Sequence, residues 1–284
     1  MHDNSALNFA LSDHRVISLV GRDAVAFAQA QFMNDVNAIA SGQWQWNGWL
    51  TPKGRVVALF ALLRIDDETV WLLLPDADPA TMVAALQRFV FRSKVTLTAR
   101  EDLKVSAAFA APDAASGAQL SVSESGAVEL DMGGAGGPRR LRIGIDTAGA
   151  EESLLARWDA FDLQHGLPRL PASQVEQWTP QQLSLDRLHG FSVKKGCYPG
   201  QEIVARTHFL GKAKRGLALL EGTAPIAVGA EVRDETAALG SVVCIGADGR
   251  WLALAVLPLN RVAQALTIDG QPVSERPLLD GLAR

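Results

Sequence analysis

From residue 217 onward the chain is a series of five short apolar runs cut by Gly, Asp and Pro, and few folds accept that spacing. The runs are Leu217 to Leu220, Ala230 to Arg233, Gly240 to Ile245, Trp251 to Val256 and Ala265 to Ile268. Short strands this close together bury their apolar faces by curling around one another. A small all-β barrel of about 70 residues is expected, and the chain divides near residue 213.

Upstream, strand and helix patterns alternate. Arg15 to Val20 is β-branched and alternating, which predicts a strand. Asp23 can cap a helix carrying Val25, Phe27, Ala28, Phe32 and Met33. Arg55 to Arg64 and Thr69 to Leu74 are apolar runs joined by Asp66-Asp67-Glu68, a hairpin signal. Asp78-Pro79 opens a second helix with an apolar stripe of Met82, Val83, Leu86 and Val90. Lys94 to Thr98, Leu103 to Ser106 and Arg139 to Ile145 read as strands, and Glu151 to Leu163 as a helix. Hairpins around a helix predict α+β units of the ferredoxin-like kind. Gly133 to Pro138 has the composition of a flexible loop and lacks the spacing of a phosphate cradle.

The chemistry concentrates in Lys195-Gly196-Cys197-Tyr198-Pro199-Gly200-Gln201-Glu202. This stretch holds the sole tyrosine and one of two cysteines. Gln201 to Phe209 reads as a short helix, with Pro199 at its first position and Gly211 at its end. The helix N-terminus and the ammonium groups of Lys194 and Lys195 would favour thiolate at Cys197. Two plainer readings stand beside this one. A free cysteine commonly packs as a small hydrophobe, and Tyr198 to Gln201 fits a type II turn. Cys244, in an apolar run, is read as core. Thr179-Pro180-Gln181-Gln182 is a capping box that starts a helix ending near Gly190.

Charge gathers at the same place. Residues 192–216 hold Lys194, Lys195, Arg206, Lys212, Lys214 and Arg215 against the single acid Glu202. The chain as a whole carries −4. Such a patch suits an anion, while the acidic remainder argues against a general nucleic-acid binder. Two cysteines make neither a disulfide framework nor a zinc site and suit a reducing cytosol. Met1 to Ser5 has no basic n-region, and the longest apolar runs are far short of a membrane span. A cytoplasmic protein without membrane contact is expected.

Residues 195–202 fill every fixed position of Lys-Gly-Cys-Tyr-x-Gly-Gln-Glu. That pattern resembles the motif of the YgfZ family, folate-binding relatives of the glycine-cleavage T-protein that support iron–sulfur enzymes. Thr179 to Leu183, Leu185 to Gly190, Val204 to Thr207 and Gly211 to Arg215 resemble the family's flanking elements, and Thr51-Pro52-Lys53-Gly54-Arg55-Val56 a second, weaker one. The likeness runs from about Val16 to the C-terminal strands. It implies a T-protein-like α+β fold: a split first domain (1–50 with 140–212), an inserted second domain (51–139) and the barrel (213–284). It implies tetrahydrofolate or a one-carbon derivative as ligand, iron–sulfur proteins including tRNA-modifying enzymes as clients, and a monomer. Direct tRNA binding is not expected. Cys197 becomes the candidate functional thiol, Lys195 and Arg206 the readers of the folate's anionic tail, and Trp46 and Trp49 candidates for an aromatic wall on the pterin, with core packing expected for at least two of Trp44, Trp46 and Trp49. No metal site is implied.

One departure separates the chain from the T-protein. That family's Gly-x-x-Asp-Asp-Leu element matches Gly54-Arg55-Val56-Val57-Ala58-Leu59 here. Val57 and Ala58 replace the acids and can neither accept a proton nor hydrogen-bond an amine. This weighs against the alternative of a folate-dependent aminomethyltransferase. A tRNA-binding module is a third possibility, resting on the basic patch alone.

Overall fold

The computed structural model describes residues 7–209, 211, 213–261 and 264–284. Met1 to Ser5 and Lys212, on which two of the expectations rest, lie outside them. The described chain forms two five-stranded antiparallel sheets and a closed six-stranded barrel.

The first sheet is built from the most apolar part of the sequence. β2 (Arg15–Val20) pairs with β5 (Thr69–Leu74) and β6 (Thr96–Ala99). β3 (Gln43–Leu50) and β4 (Val56–Arg64) form a hairpin, and β4 pairs with β5 across the Asp66-Asp67-Glu68 turn. One face of this sheet packs under α1 (Ala24–Gln31) and α2 (Pro79–Gln87), burying Ile17, Phe27, Phe60, Leu72 and Leu86. Asp78 caps α2 through Thr81 N–H at 2.8 Å, with Pro79 in the first turn as its sequence predicts. The Asp23 side chain does not cap α1; its carboxylate accepts from Lys94 N–H at 2.6 Å and ties the strand entering β6 instead.

The second sheet takes β1 (Phe9–Ala10), β7 (Lys104–Ala108), β10 (Arg140–Gly144), β9 (Val128–Asp131) and β8 (Ser121–Val122), in that spatial order. Its inner face meets the other face of the first sheet in one large core with Trp44, Trp46, Leu141 and, from α3 (Glu152–Gln164), Trp158. Strand pairing does not follow the expected split at residues 50 and 140. The boundary at 50 falls inside the β3–β4 hairpin, and the boundary at 140 separates β10 from β7 and β9, its two partners. Hydrogen-bonded ladders hold these strands together, so pairing groups residues 15–99 in one sheet. Gly133 to Pro138 is also no slack linker: a side chain at Gly134 would meet His165 at 2.8 Å and one at Gly136 would meet Phe161 at 2.8 Å.

The barrel comprises β11 (Arg215–Gly222), β12 (Glu231–Arg233), β13 (Ala238–Ala247), β14 (Trp251–Pro258), β15 (Leu266–Ile268) and β16 (Gln271–Arg276). Leu220, Val232, Val242, Ala255 and Ile268 fill it. β13 and β14 also face α3, and Cys244 lies in the core there, with burial pushing its thiol up to about 12. After β16 the chain crosses back as a strap toward the sheets. Leu279 N–H donates to Gln164 O, Ala135 N–H to Asp280 O, and the Trp46 indole to Leu282 O at 2.6 Å. Leu282 is 1% exposed.

Candidate functional site

The cysteine motif is a loop whose side chains alternate between interior and surface. Lys195 and Tyr198 turn inward, while Gly196 and Cys197 are exposed. The Lys195 ammonium donates to Gln29 O at 2.6 Å, Phe32 O at 2.6 Å and Asn34 O at 2.9 Å. The first two carbonyls belong to the last turn of α1 and its cap, and α1 has no basic residue of its own there. A buried cation at a helix C-terminus satisfies carbonyls that would otherwise have no donor. Burial draws the Lys195 ammonium down to about 8.

This arrangement corrects the reading of Lys195 as an anion reader or as a charge beside the thiol. The residue is only 5% exposed, and its ammonium is engaged by three acceptors. Lys195 anchors the loop to α1. Tyr198 anchors the other side: its hydroxyl donates to Ser192 O at 3.0 Å, and burial pushes the phenol up to about 12. Gln201 closes the loop by donating from Nε2 to Lys195 O at 3.1 Å. Cys197 is therefore presented at the tip of a loop pinned on both flanks.

The helix α4 spans Gln201–Phe209, the bounds read from its sequence, but Pro199 lies outside it. Pro199 and Gly200 are the central residues of a turn closed by Gln201 N–H to Tyr198 O at 3.2 Å. Gly200 has φ +80°, so the plainer type II turn reading holds and Pro199 is not in the first helical turn. The Thr179 capping box forms, with Thr179 N–H and Gln182 Oε1 at 3.0 Å. The segment beyond it is a series of turns rather than a helix, because Ser184 and His189 take φ of 48° and 55°. The Ser184 hydroxyl accepts from Leu217 N–H and joins this segment to β11.

The two family-like motifs meet through glycine. Thr51 to Arg55 forms a tight turn with Gly54 at φ +70°. A side chain at Gly200 would lie 2.6 Å from Thr51 O and 2.8 Å from Gly54 Cα. A side chain at Gly54 would lie 2.8 Å from Ile203 Cβ. Both glycines thus permit close approach in conformations that side chains disfavour.

This junction borders a cleft of about 600 Å³. Thr51, Pro52 and Pro199 form one wall, α2 contributes Met82 and Ala85, and Phe89 lies beyond it. Trp49 stands in the cleft with its ring perpendicular to Phe89 at 6.5 Å. Its indole N–H is buried with no acceptor among the described residues. Val57 and Ala58 line the same cleft, as do the carboxyl-bearing residues Asp76, Asp78 and Glu176. Among the described residues, none from the barrel lines it.

The tryptophans therefore separate. Trp44 and Trp46 are core residues packed edge-to-face at 5.2 Å, and Trp46 is removed from the ligand-facing set by its bond to Leu282. Trp49 faces the cleft. Arg206 and Glu202 lie on α4 and do not line that cleft. Sequence reasoning missed Phe89 and Glu176. Phe89 lies off the apolar stripe of α2, which is the signal an aromatic wall leaves. Glu176 takes φ 62°, strain invisible in sequence.

No protein-family model matches the chain. Its fold is that of the T-protein: the crystal structure of glycine cleavage system aminomethyltransferase T from Bartonella henselae aligns with a TM-score of 0.74, 16% identity, and coverage of 95% of this chain and 85% of that one. Among curated proteins, the chain is 28% identical to tRNA-modifying protein YgfZ of Vibrio vulnificus (strain CMCP6), covering 86% of this chain and 81% of the relative. It is 30% identical to tRNA-modifying protein YgfZ of Klebsiella pneumoniae (strain 342), over 75% and 71% of the two chains. For tRNA-modifying protein YgfZ of Colwellia psychrerythraea the identity is 31%, over 73% and 69%. With that identity held over more than two thirds of these relatives, on a T-protein-like fold, the chain belongs to the YgfZ family.

Proposed function

We propose that the protein binds a reduced folate in the Trp49 cleft and assists the assembly or repair of iron–sulfur clusters, including those of tRNA-modifying enzymes. It acts as a cytoplasmic monomer through the accessible thiol of Cys197. The observation that supports this reading is the junction of both family motifs, through Gly54 and Gly200, at the edge of one apolar cleft with an unpartnered indole N–H. Tetrahydrofolate fits such a cleft chemically. Trp49, Met82 and Phe89 offer flat and polarizable contact. The indole N–H can donate to a ring carbonyl or nitrogen, and the Glu176 carboxylate can accept from an amino group. When bound, the folate supplies a one-carbon unit or its acceptor.

Aminomethyl transfer is disfavoured by the same cleft. Val57 and Ala58 line it where the T-protein pattern has acids, so nothing at those positions can orient a substrate amine. The protein then holds the folate without the carboxylate that the transferase reaction uses.

Calorimetry with tetrahydrofolate and 5-formyltetrahydrofolate tests the ligand. Binding is expected, and Trp49→Ala should weaken it at least tenfold through loss of stacking area and of the indole donor. Trp49→Phe should recover part of the loss. No heat and no competition at millimolar ligand would end the folate reading. Cys197 is tested in cells lacking the protein: Cys197→Ser should fail to restore iron–sulfur enzyme activity while folding and binding folate normally. Full restoration by that variant would remove the thiol from the mechanism.

A further inference from the structure

We propose that a second cleft, between α4 and the barrel, binds a nucleotide, either free or as a unit of a single-stranded RNA. The cleft measures about 870 Å³. It is larger than the Trp49 cleft and shares no residue with it. Its lining brings together an aromatic ring, four cationic or proton-donating side chains and one unsatisfied acceptor.

The acceptor points to a ligand most directly. Gln181 is 8% exposed and lines the cleft. Its Nε2 donates to Val204 O at 2.8 Å, which fixes the amide orientation. Its Oε1 is buried with no donor among the described residues. A buried amide oxygen left unpaired costs about 1–3 kcal/mol, and the amino or imino N–H of a base would satisfy it. Phe191 lines the same cleft and offers a stacking face.

The donors divide into fixed and free. Arg187 is held by His165 O, Leu279 O and the Asp280 carboxylate, and Arg215 by Leu239 O. Lys214 and His208 have no acceptor among the described residues. Asp186 is the one carboxylate among the described lining residues. Lys214 and His208 at the mouth, with the held Arg187 and Arg215 beside them, suit the dense charge of a phosphate better than the separated carboxylates of a folate tail. Beyond the lip, α4 carries Arg206 and Phe209, the latter 67% exposed and perpendicular to His208 at 4.9 Å. An exposed aromatic beside cations is the arrangement that continues a single strand by stacking. The overall charge of −4 does not oppose this, because a charge acts within about a Debye length of its own surface.

The test is fluorescence anisotropy of a short 5′-labelled single-stranded RNA with the intact protein, and competition by the four ribonucleoside monophosphates, inorganic phosphate, duplex RNA and tetrahydrofolate. Binding is expected to weaken steeply with salt. At least one monophosphate should compete better than inorganic phosphate. Lys214→Glu, an exposed change, should lower affinity at least tenfold without altering the thermal melt or folate binding. Gln181→Leu should change the ranking of the four bases; if it unfolds, the Lys214 variant and the base ranking still decide. A free nucleotide matching the strand in affinity places the ligand as a mononucleotide, and a tighter strand places it as RNA. The proposal is overturned by inorganic phosphate competing as well as any nucleotide, by duplex binding as tightly as single strand, by equal displacement with tetrahydrofolate, or by an unchanged Lys214→Glu. Failure here leaves the folate reading of the Trp49 cleft intact, since Trp49→Ala affects only that cleft.

Discussion

A Gly200→Ala variant is expected to lose about 3 kcal/mol of stability or more and to bind folate poorly, whereas Gly196→Ala should stay near wild type. The two glycines stand in one motif but meet different surroundings. At Gly200 the backbone is left-handed, which costs an alanine roughly 1–2 kcal/mol, and the added methyl would press on Thr51 O at 2.6 Å. Backbone cannot rotate aside as a side chain does, so overpacking adds about 1–3 kcal/mol. Relief requires separating the cysteine loop from the Thr51–Arg55 turn, which opens the cleft wall at Pro52 and Pro199. At Gly196 nothing lies within 4 Å of an added methyl. Urea denaturation and folate calorimetry of both variants give the comparison. Equal behaviour of the two would show that the contact between the motifs does not hold the cleft.

Arg169→Met should be the most destabilising single change on the far side of the same cleft, by about 3 kcal/mol. The Arg169 guanidinium joins three carboxylates: Asp76 at 2.7 Å, Asp159 at 2.9 Å and Asp13 at 2.5 Å. It also donates to Pro75 O. Asp76 in turn accepts from Leu170 N–H at 2.9 Å, and both Asp76 and Leu170 line the cleft. Methionine leaves three acids facing one another with only His14 as a counter-charge, so folate affinity should fall with stability. The pH dependence has a definite sign. Burial alone would raise Asp13, but the hydrogen bond and charge of His14 and the Arg169 guanidinium hold it well below the usual 3.8 of an aspartate. A depressed carboxylate contributes stability that is present above its unfolded value and lost as pH falls through its folded one. The variant lacks part of that contribution, so the gap between the two proteins should narrow as pH drops below about 3.8. Asp159 has the opposite sign: burial raises it to about 6, so its ionisation opposes folding as pH climbs from 3.8 toward that value. Thermal melts from about pH 3 to 7 measure both effects, and a melting temperature unchanged at neutral pH would refute the role given to Arg169.

The fold is legible in the sequence wherever the physics is local. β2 and β5 match their predicted bounds because alternating and branched side chains define a strand without help from elsewhere. α2 announces itself through Asp78 and Pro79. β16 escaped notice because Gln271 to Arg276 is polar and largely exposed, so its pairing with β11 and β15 leaves no apolar pattern. The segment after Thr179 carries a correct helix start, but Ser184 turns left-handed and bonds Leu217, a partner far along the chain. Lys195 shows the same limit within the site. A lysine beside a cysteine reads as electrostatics, and only the folded chain reveals that α1 ends without its own cation and takes this one. Cys197 lies at the surface and Trp49 lines a cleft. The division of Trp46 from Trp49 depends on the strap, which no local pattern discloses.

That strap bears on how the molecule breathes. Leu282 lies in the core shared by the two sheets yet is carried by the chain that leaves the barrel. The barrel cannot swing outward without drawing Leu282 from that core and breaking the Trp46 indole bond. Local opening normally proceeds through units that separate at little cost. Here the peripheral unit and the central one are interlocked, so fluctuations that would expose the barrel's docking face are suppressed to the level of the whole core.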